Sequence, residues 1–152
     1  MTAYLVRHAK AGDRSDWEGD DRLRPLSPAG KRQAEALVDL LKDTGIEAVL
    51  SSPHRRCIET VEPLARHFGL RVDPEPNLEE GVGAERLLQL TKRRAGRHVA
   101  FCTHGDVLEE FLEHLIQQGV VPRAAARLEK GSTWVVEQED GQISKARYIP
   151  AP

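Results

Sequence analysis

Three short apolar runs in this chain each end in imidazole or guanidinium side chains. Tyr4-Leu5-Val6 stops at Arg7-His8-Ala9. Glu47-Ala48-Val49-Leu50-Ser51 runs into Ser52-Pro53-His54-Arg55-Arg56, and His98-Val99-Ala100-Phe101-Cys102-Thr103 ends in His104-Gly105. If these runs are strands of one open α/β sheet, their carboxyl ends meet at the crevice where such sheets bind ligands. A neutral imidazole is a good nucleophile toward phosphorus, and a covalent phosphohistidine divides hydrolysis into two easier steps. The negative charge that gathers on the equatorial oxygens calls for fixed cationic donors. Arginine fits, because its planar fork pairs with phosphate oxygens in bidentate fashion and stays charged. Arg7 beside His8, Arg55 or Arg56, and His104 supply that set. An acid must also protonate the leaving oxygen, and Glu79 and Glu80, just before Gly81, are the candidates.

The elements that must position these groups alternate between strand and helix, the pattern of an α/β fold. The opening strand leads into a charged, polar loop over residues 10–26. Ser27 as N-cap and Pro28 at the first position open a helix with Ala34, Leu37, Val38 and Leu41 on one face and Gly45 near its end. Ser52-Pro53 repeats the cap-plus-proline signature before a helix carrying Cys57, Val61, Leu64 and Phe68, ending at Gly69. Pro63 falls inside it and is expected to kink or divide it. A brief strand at residues 70–72 precedes a turn-rich stretch through Gly83. Leu87, Leu88 and Leu90 mark a third helix ending near Gly96. Val107, Leu108, Phe111, Leu112, Leu115 and Ile116 mark a fourth, with Gly119 beyond it. Residues 132–138 and 142–149 read as two strands around Glu139-Asp140-Gly141, a hairpin signal. The expected architecture is a three-layer α/β sandwich, with a central, mostly parallel sheet and helices on both faces.

A chain of 152 residues is expected to form one domain with a real core. With 22 basic and 24 acidic side chains, bulk charge advertises neither a nucleic acid polymer nor an acidic membrane surface. Cys57 and Cys102 lack metal-ligand spacing and read as small buried apolar residues rather than a disulfide or redox pair. No stretch could span a bilayer and no leader pattern opens the chain, so a cytoplasmic protein is expected. A metal hydrolase would need a histidine–carboxylate ligand set, and no paired spacing provides one; no metal or cofactor is expected.

Four segments in register resemble the histidine phosphatase superfamily, the phosphoglycerate mutase-like group. They are Leu5-Val6-Arg7-His8-Ala9-Lys10-Ala11, Arg24-Pro25-Leu26-Ser27-Pro28-Ala29-Gly30, Ser51-Ser52-Pro53 with Arg56 and Glu59-Thr60, and Thr103-His104-Gly105. The length and the arginine-proline-leucine segment most resemble its short SixA-like branch, whose members dephosphorylate phosphohistidine on proteins. The chain is also similar to the phosphatase-like half of mycobacterial Nudix fusion proteins that act on nucleotides. The resemblance implies His8 as the phosphorylated nucleophile, Arg7 and Arg56 as phosphate clamps, and His104 as the second histidine at the phosphoryl oxygens. It implies Arg24 as a further phosphate-binding arginine, and Glu80, two residues after Leu78, as proton donor. Arg55 and Gly105 flank this set and are expected at the substrate.

Other features read as structural. His54, His67, His98 and His114 have no partner pattern and are taken as structural or surface residues, the acidic patch 18–21 as part of a surface loop, and Trp17 as a pin for that loop. Gly81-Val82-Gly83 lacks the third glycine and preceding strand of a nucleotide-binding loop. The expected activity is a metal-independent phosphatase acting on a phosphorylated small molecule, a nucleotide or a phosphohistidine protein, as a monomer. Two alternatives share the site: a phosphoglycerate-type phosphomutase, for which the chain lacks room for enclosing insertions, and a non-catalytic module that binds phosphorylated ligands.

Overall fold

In the computed structural model, which describes residues 1–93 and 97–152, six strands form one mixed sheet flanked by four helices. The elements are β1 (Thr2–Arg7), α1 (Pro28–Leu41), β2 (Ala48–Ser51), α2 (Arg55–His67), β3 (Val72–Pro74), α3 (Glu85–Arg93), β4 (His98–Thr103), α4 (Gly105–Gln117), β5 (Thr133–Glu139) and β6 (Gln142–Ile149). The strand order is β3-β2-β4-β1-β5-β6. The first four strands in that order run parallel, and the β5–β6 hairpin closes one edge antiparallel. The expected three-layer arrangement is therefore present, and the expected end of the third helix near Gly96 lies outside the described residues.

Alternation along the central strands separates the two layers, as the two-residue period of a strand requires. Ala3, Leu5, Val99 and Phe101 join the core under α3 and α4. Tyr4, Val6, Ala100 and Cys102 join the core under α1 and α2. Both faces are covered, which is why these strands are apolar throughout rather than alternating with polar residues. The register brings three strand ends level, pairing Arg7 with Thr103 and Ser51 with Cys102. The residues that follow, His8, Ser52 and His104, therefore emerge along one rim.

The start of α1 follows the sequence, with the Ser27 hydroxyl accepting from Gly30 N–H at 3.1 Å and Pro28 in the first turn. The start of α2 does not. Ser52 remains extended, because the residue before a proline is kept out of the helical region, and its N–H donates to the Cys102 carbonyl at 2.9 Å. His54 occupies the N-cap position instead, and Ser52 turns its hydroxyl to His104. Pro63 does not divide α2, which is unbroken across it. It lies off the buried stripe of Cys57, Val61, Leu64 and Ala65, whose packing carries the helix past the lost N–H. The following strand begins at Val72, not Leu70, because Leu70 still belongs to the helix end. Gly69, at φ 68°, donates to Arg66 O at 3.1 Å, and Leu70 N–H donates to Ala65 O at 2.8 Å, a Schellman closure. The loop over residues 10–26 contains two 3₁₀ turns, Arg14–Asp16 and Asp21–Leu23. Trp17 pins it, donating from its indole to Asp20 O at 2.9 Å. Among the described residues no helix is long and apolar enough to cross a membrane.

The first turn of α1 rests directly on the backbone that leaves β1. Lys10 O accepts from Ser27 N–H at 3.0 Å, and a Cβ added at Gly30 would stand 1.8 Å from that same oxygen. Replacing glycine inside a helix ordinarily stabilises by about 1 kcal/mol. Here the neighbour is backbone, and overpacking of about 1–3 kcal/mol or more reverses the sign. Thermal unfolding of Gly30→Ala is expected to show a lower midpoint than wild type.

Candidate active site

Each candidate side chain reaches the rim by a traceable contact. His8 follows β1 and is buried, and its Nδ1 stands 2.8 Å from the carbonyl oxygen of Ala9. A carbonyl can only accept, so Nδ1 carries the proton and Nε2 keeps its lone pair. The loop beyond is held by Thr60, whose hydroxyl accepts from Ala9 N–H at 2.9 Å and donates to Arg56 O at 2.7 Å. One threonine thus fixes the distance between the β1 loop and the first turn of α2. Glu59 repeats the device one residue earlier, accepting from Leu26 N–H at 2.9 Å.

Arg7 donates through Nη1 to Leu128 O at 2.7 Å, and its guanidinium lies across the start of α4. A Cβ at Gly105 would sit 2.7 Å from Arg7 Nη2, so the glycine exists to admit the guanidinium. His104, 1% exposed, is bonded at Nε2 to the Ser52 hydroxyl at 2.9 Å, with Cys57 Sγ 3.6 Å from the same nitrogen. Its ring centroid lies 5.5 Å from that of His8 and 4.6 Å from that of His54. Both cysteines are buried and free, as expected.

Arg56 is also 1% exposed, and the charge needs compensation. Asp21 provides it. Arg56 Nη1 donates to Asp21 O at 2.9 Å, and Nη2 lies 3.2 Å from Asp21 Oδ2 and 3.6 Å from Glu80 Oε2. Arg24 is buried beside it, donating through Nε to Asp21 Oδ1 at 2.9 Å and through Nη1 to Gly12 O. Burial opposes ionisation of Asp21, but the hydrogen bond from Arg24 and the charges of Arg56, Arg24 and Arg14 prevail and hold its carboxyl below the usual range. The acidic patch of the loop is thus a counter-charge of the site rather than surface decoration.

The structure draws His8, Arg7, Arg56, His104 and Gly105 together, with Arg24 and Glu80 joined to them through Asp21 and Arg56. Arg55 does not join them. It is exposed on the outer side of α2, 3.6 Å from Glu59 Oε2. Glu79 faces His54, with Oε1 3.7 Å from Nε2. His54, read from sequence as structural or surface, is a third buried imidazole of the cluster. Among the described residues, Arg7 Nε, Arg56 Nε and Nη2, His54 Nδ1 and His104 Nδ1 are buried without a hydrogen-bond partner. Arg56 Nη2 is within ion-pair distance of its carboxylates but not aligned on either. Orphaned nitrogens concentrated at one rim are what an anion-binding pocket presents. Among the described residues there is no group of three or more histidine, cysteine or acidic side chains placed to hold a metal ion.

Burial lowers the His8 pKa from 6.5 to about 3, with the charges of His104, Arg56 and Arg7 adding to it and the Ala9 bond opposing. His54 is lowered by burial first and by His104 and Arg56 next, against Glu79 and Glu80. At neutral pH, His8 is therefore an unprotonated imidazole held beside guanidinium groups.

This mixed α/β sheet with paired imidazoles and guanidinia at its rim is that of a phosphate-handling protein. The chain belongs to the histidine phosphatase superfamily (branch 1), whose sequence model matches residues 3–86, more than half of its length. It is 37% identical over 158 aligned residues to the 8-oxo-(d)GTP phosphatase of Mycolicibacterium smegmatis, covering 99% of this chain and 48% of that protein. The chain thus spans about half the length of that relative. Among solved structures it is similar to SixA of Agrobacterium tumefaciens, with TM-score 0.80, 25% identity, and 99% of this chain and 98% of that chain covered. A tungstate complex of the protein histidine phosphatase SixA shares the fold at TM-score 0.77 and 18% identity, over 98% of this chain and 94% of that one.

The buried neutral His8 couples folding to pH. Below 6.5 an unfolded histidine takes up a proton that the folded one refuses until about 3, so stability falls as pH drops through that window. The slope is at most about 1.4 kcal/mol per pH unit. Urea unfolding at pH 7 and pH 5 is expected to show wild type losing about 2 kcal/mol more than His8→Gln.

Proposed function

We propose that this chain is a single histidine phosphatase domain that hydrolyses phosphorylated substrates through a covalent phosphohistidine on His8, without a metal. The observation that carries this reading is the bond from His8 Nδ1 to Ala9 O, which leaves Nε2 as a free nucleophile among guanidinium groups. In the first step Nε2 attacks phosphorus as the bond to the leaving group breaks. Arg7, Arg56 and His104 hold the equatorial oxygens, with Arg24 assisting, so the growing charge meets donors already in place. Glu80, a carboxylate beside Arg56, serves as the base for the water that releases phosphate from His8. Gly105 belongs to the substrate-binding set because it admits Arg7.

Two substrate classes have specific support. Likeness to SixA along nearly the whole chain favours a phosphohistidine protein, and 37% identity to an 8-oxo-(d)GTP phosphatase favours a nucleotide. The higher identity gives the nucleotide the greater weight. A mutase or a pure binding module is less well supported, since a binder needs no unprotonated imidazole nucleophile.

Hydrolysis of 4-nitrophenyl phosphate in the presence of a chelator tests the reading. Wild type is expected to turn over, His8→Ala to lose about a thousandfold or more while still unfolding cooperatively from a native fold, and Arg56→Ala about a hundredfold or more. Undiminished activity in purified His8→Ala would sink the mechanism.

A further inference from the structure

Arg14 lies in the first 3₁₀ turn of the loop after β1, with a side chain 61% exposed, and sequence gave no reason to single it out. Its guanidinium spans two carboxylates. Nη2 donates to both oxygens of Glu80, at 3.1 and 3.3 Å, and Nε lies 3.4 Å from Asp21 Oδ1. Glu80 itself is held in place from below. Thr103 Oγ1 donates to Leu78 O at 2.7 Å, and Gly81 N–H donates to Asp106 Oδ2 at 2.8 Å, which fixes the turn on either side of it. With the turn fixed, Arg14 decides what the Glu80 carboxyl faces.

A carboxylate accepting at both oxygens presents no O–H, whereas an acid must donate one. The reaction proposed for His8 makes this matter. As the Nε2–P bond forms, the bond from phosphorus to the leaving atom breaks, and its electron pair departs with that atom. A phosphoanhydride oxygen, an aryl oxide or an already protonated phosphoramidate nitrogen carries that pair without help. An alkoxide requires a proton in the same step.

We propose that Arg14 is a positioning residue that keeps Glu80 as a hydrogen-bond acceptor and so restricts the site to phosphoryl donors with good leaving groups. The favoured classes are phosphoramidates, phosphoanhydrides and aryl phosphates, and the disfavoured class is alkyl phosphate monoesters. This rests on the roles given above to His8 and Glu80. Arg14 suits the task better than Arg56, because Arg56 is buried and also committed to Asp21 O. Asp21 anchors Arg14 from the other side, so the latch ties the loop of residues 10–26 to the turn that carries Glu80.

The test is kcat/KM at pH 7 for a series of aryl phosphates of graded leaving-group pKa, extended to glycerol 1-phosphate, in wild type, Arg14→Gln and Arg14→Lys. Wild type is expected to fall steeply along the series. Arg14→Gln is expected to give a shallower slope and to raise the ratio of alkyl to aryl turnover on the order of fivefold, the equivalent of one exposed ion pair. Arg14→Lys keeps the charge and is expected to restore the steep slope. An equal slope in wild type and Arg14→Gln, or a uniform loss across all substrates, would overturn the role of Arg14 while leaving the phosphatase reading intact. No turnover of any aryl phosphate by wild type would overturn both.

Discussion

Confining several cationic and imidazole groups at one sheet rim is the constraint on which this structure depends. Arg7, Arg24, Arg56, His8, His54 and His104 lie close together, most of them buried. Charges of one sign cannot be packed this way unless some groups give up their charge and the rest find partners. Both responses are present. His8 and His54 are driven toward the neutral form, and Asp21 and Glu80 pair with the arginines. The neutral His8 imidazole follows first from its burial at this rim, with the charges of His104, Arg56 and Arg7 adding to it.

Placement follows from the parallel register. Level ends of β1, β2 and β4 deliver His8, Ser52 and His104 side by side, and short side-chain links then set the remaining distances. Thr60 joins the Ala9 amide to the Arg56 carbonyl, Glu59 holds the Leu26 amide, and Ser52 turns His104. None of these residues would touch phosphorus. They convert a sheet rim into a site with fixed spacing, which is what preorganised charge stabilisation requires.

The layered fold and the core of the site were legible in the chain because both rest on local pattern. The apolar runs, the Ser27-Pro28 cap and the positions of Arg7, His8, Arg56 and His104 need only sequence neighbours to be read. What escaped depends on contacts between distant segments. Asp21 reads as part of an acidic loop until that loop folds back over α2, and Arg55 reads as a substrate-facing neighbour of Arg56 until the helix turns it outward to Glu59. His54 follows a proline and precedes two arginines, and only the His104 ring packed on it reveals its place. The Ser52-Pro53 signature misled because the sheet ladder extends one residue past β2, holding Ser52 for His104.

Reactivity at His8 turns on one proton, the one between its Nδ1 and the Ala9 carbonyl. Nitrogen-15 NMR of the histidine side chains, assigned with His8→Gln, reads its position directly. From pH 7 down to pH 5 the account predicts a single neutral tautomer for His8, protonated at Nδ1 and bare at Nε2. An imidazolium at His8 in that range, or a proton resident on Nε2, would contradict it, because the nitrogen that must attack phosphorus would have no lone pair to offer.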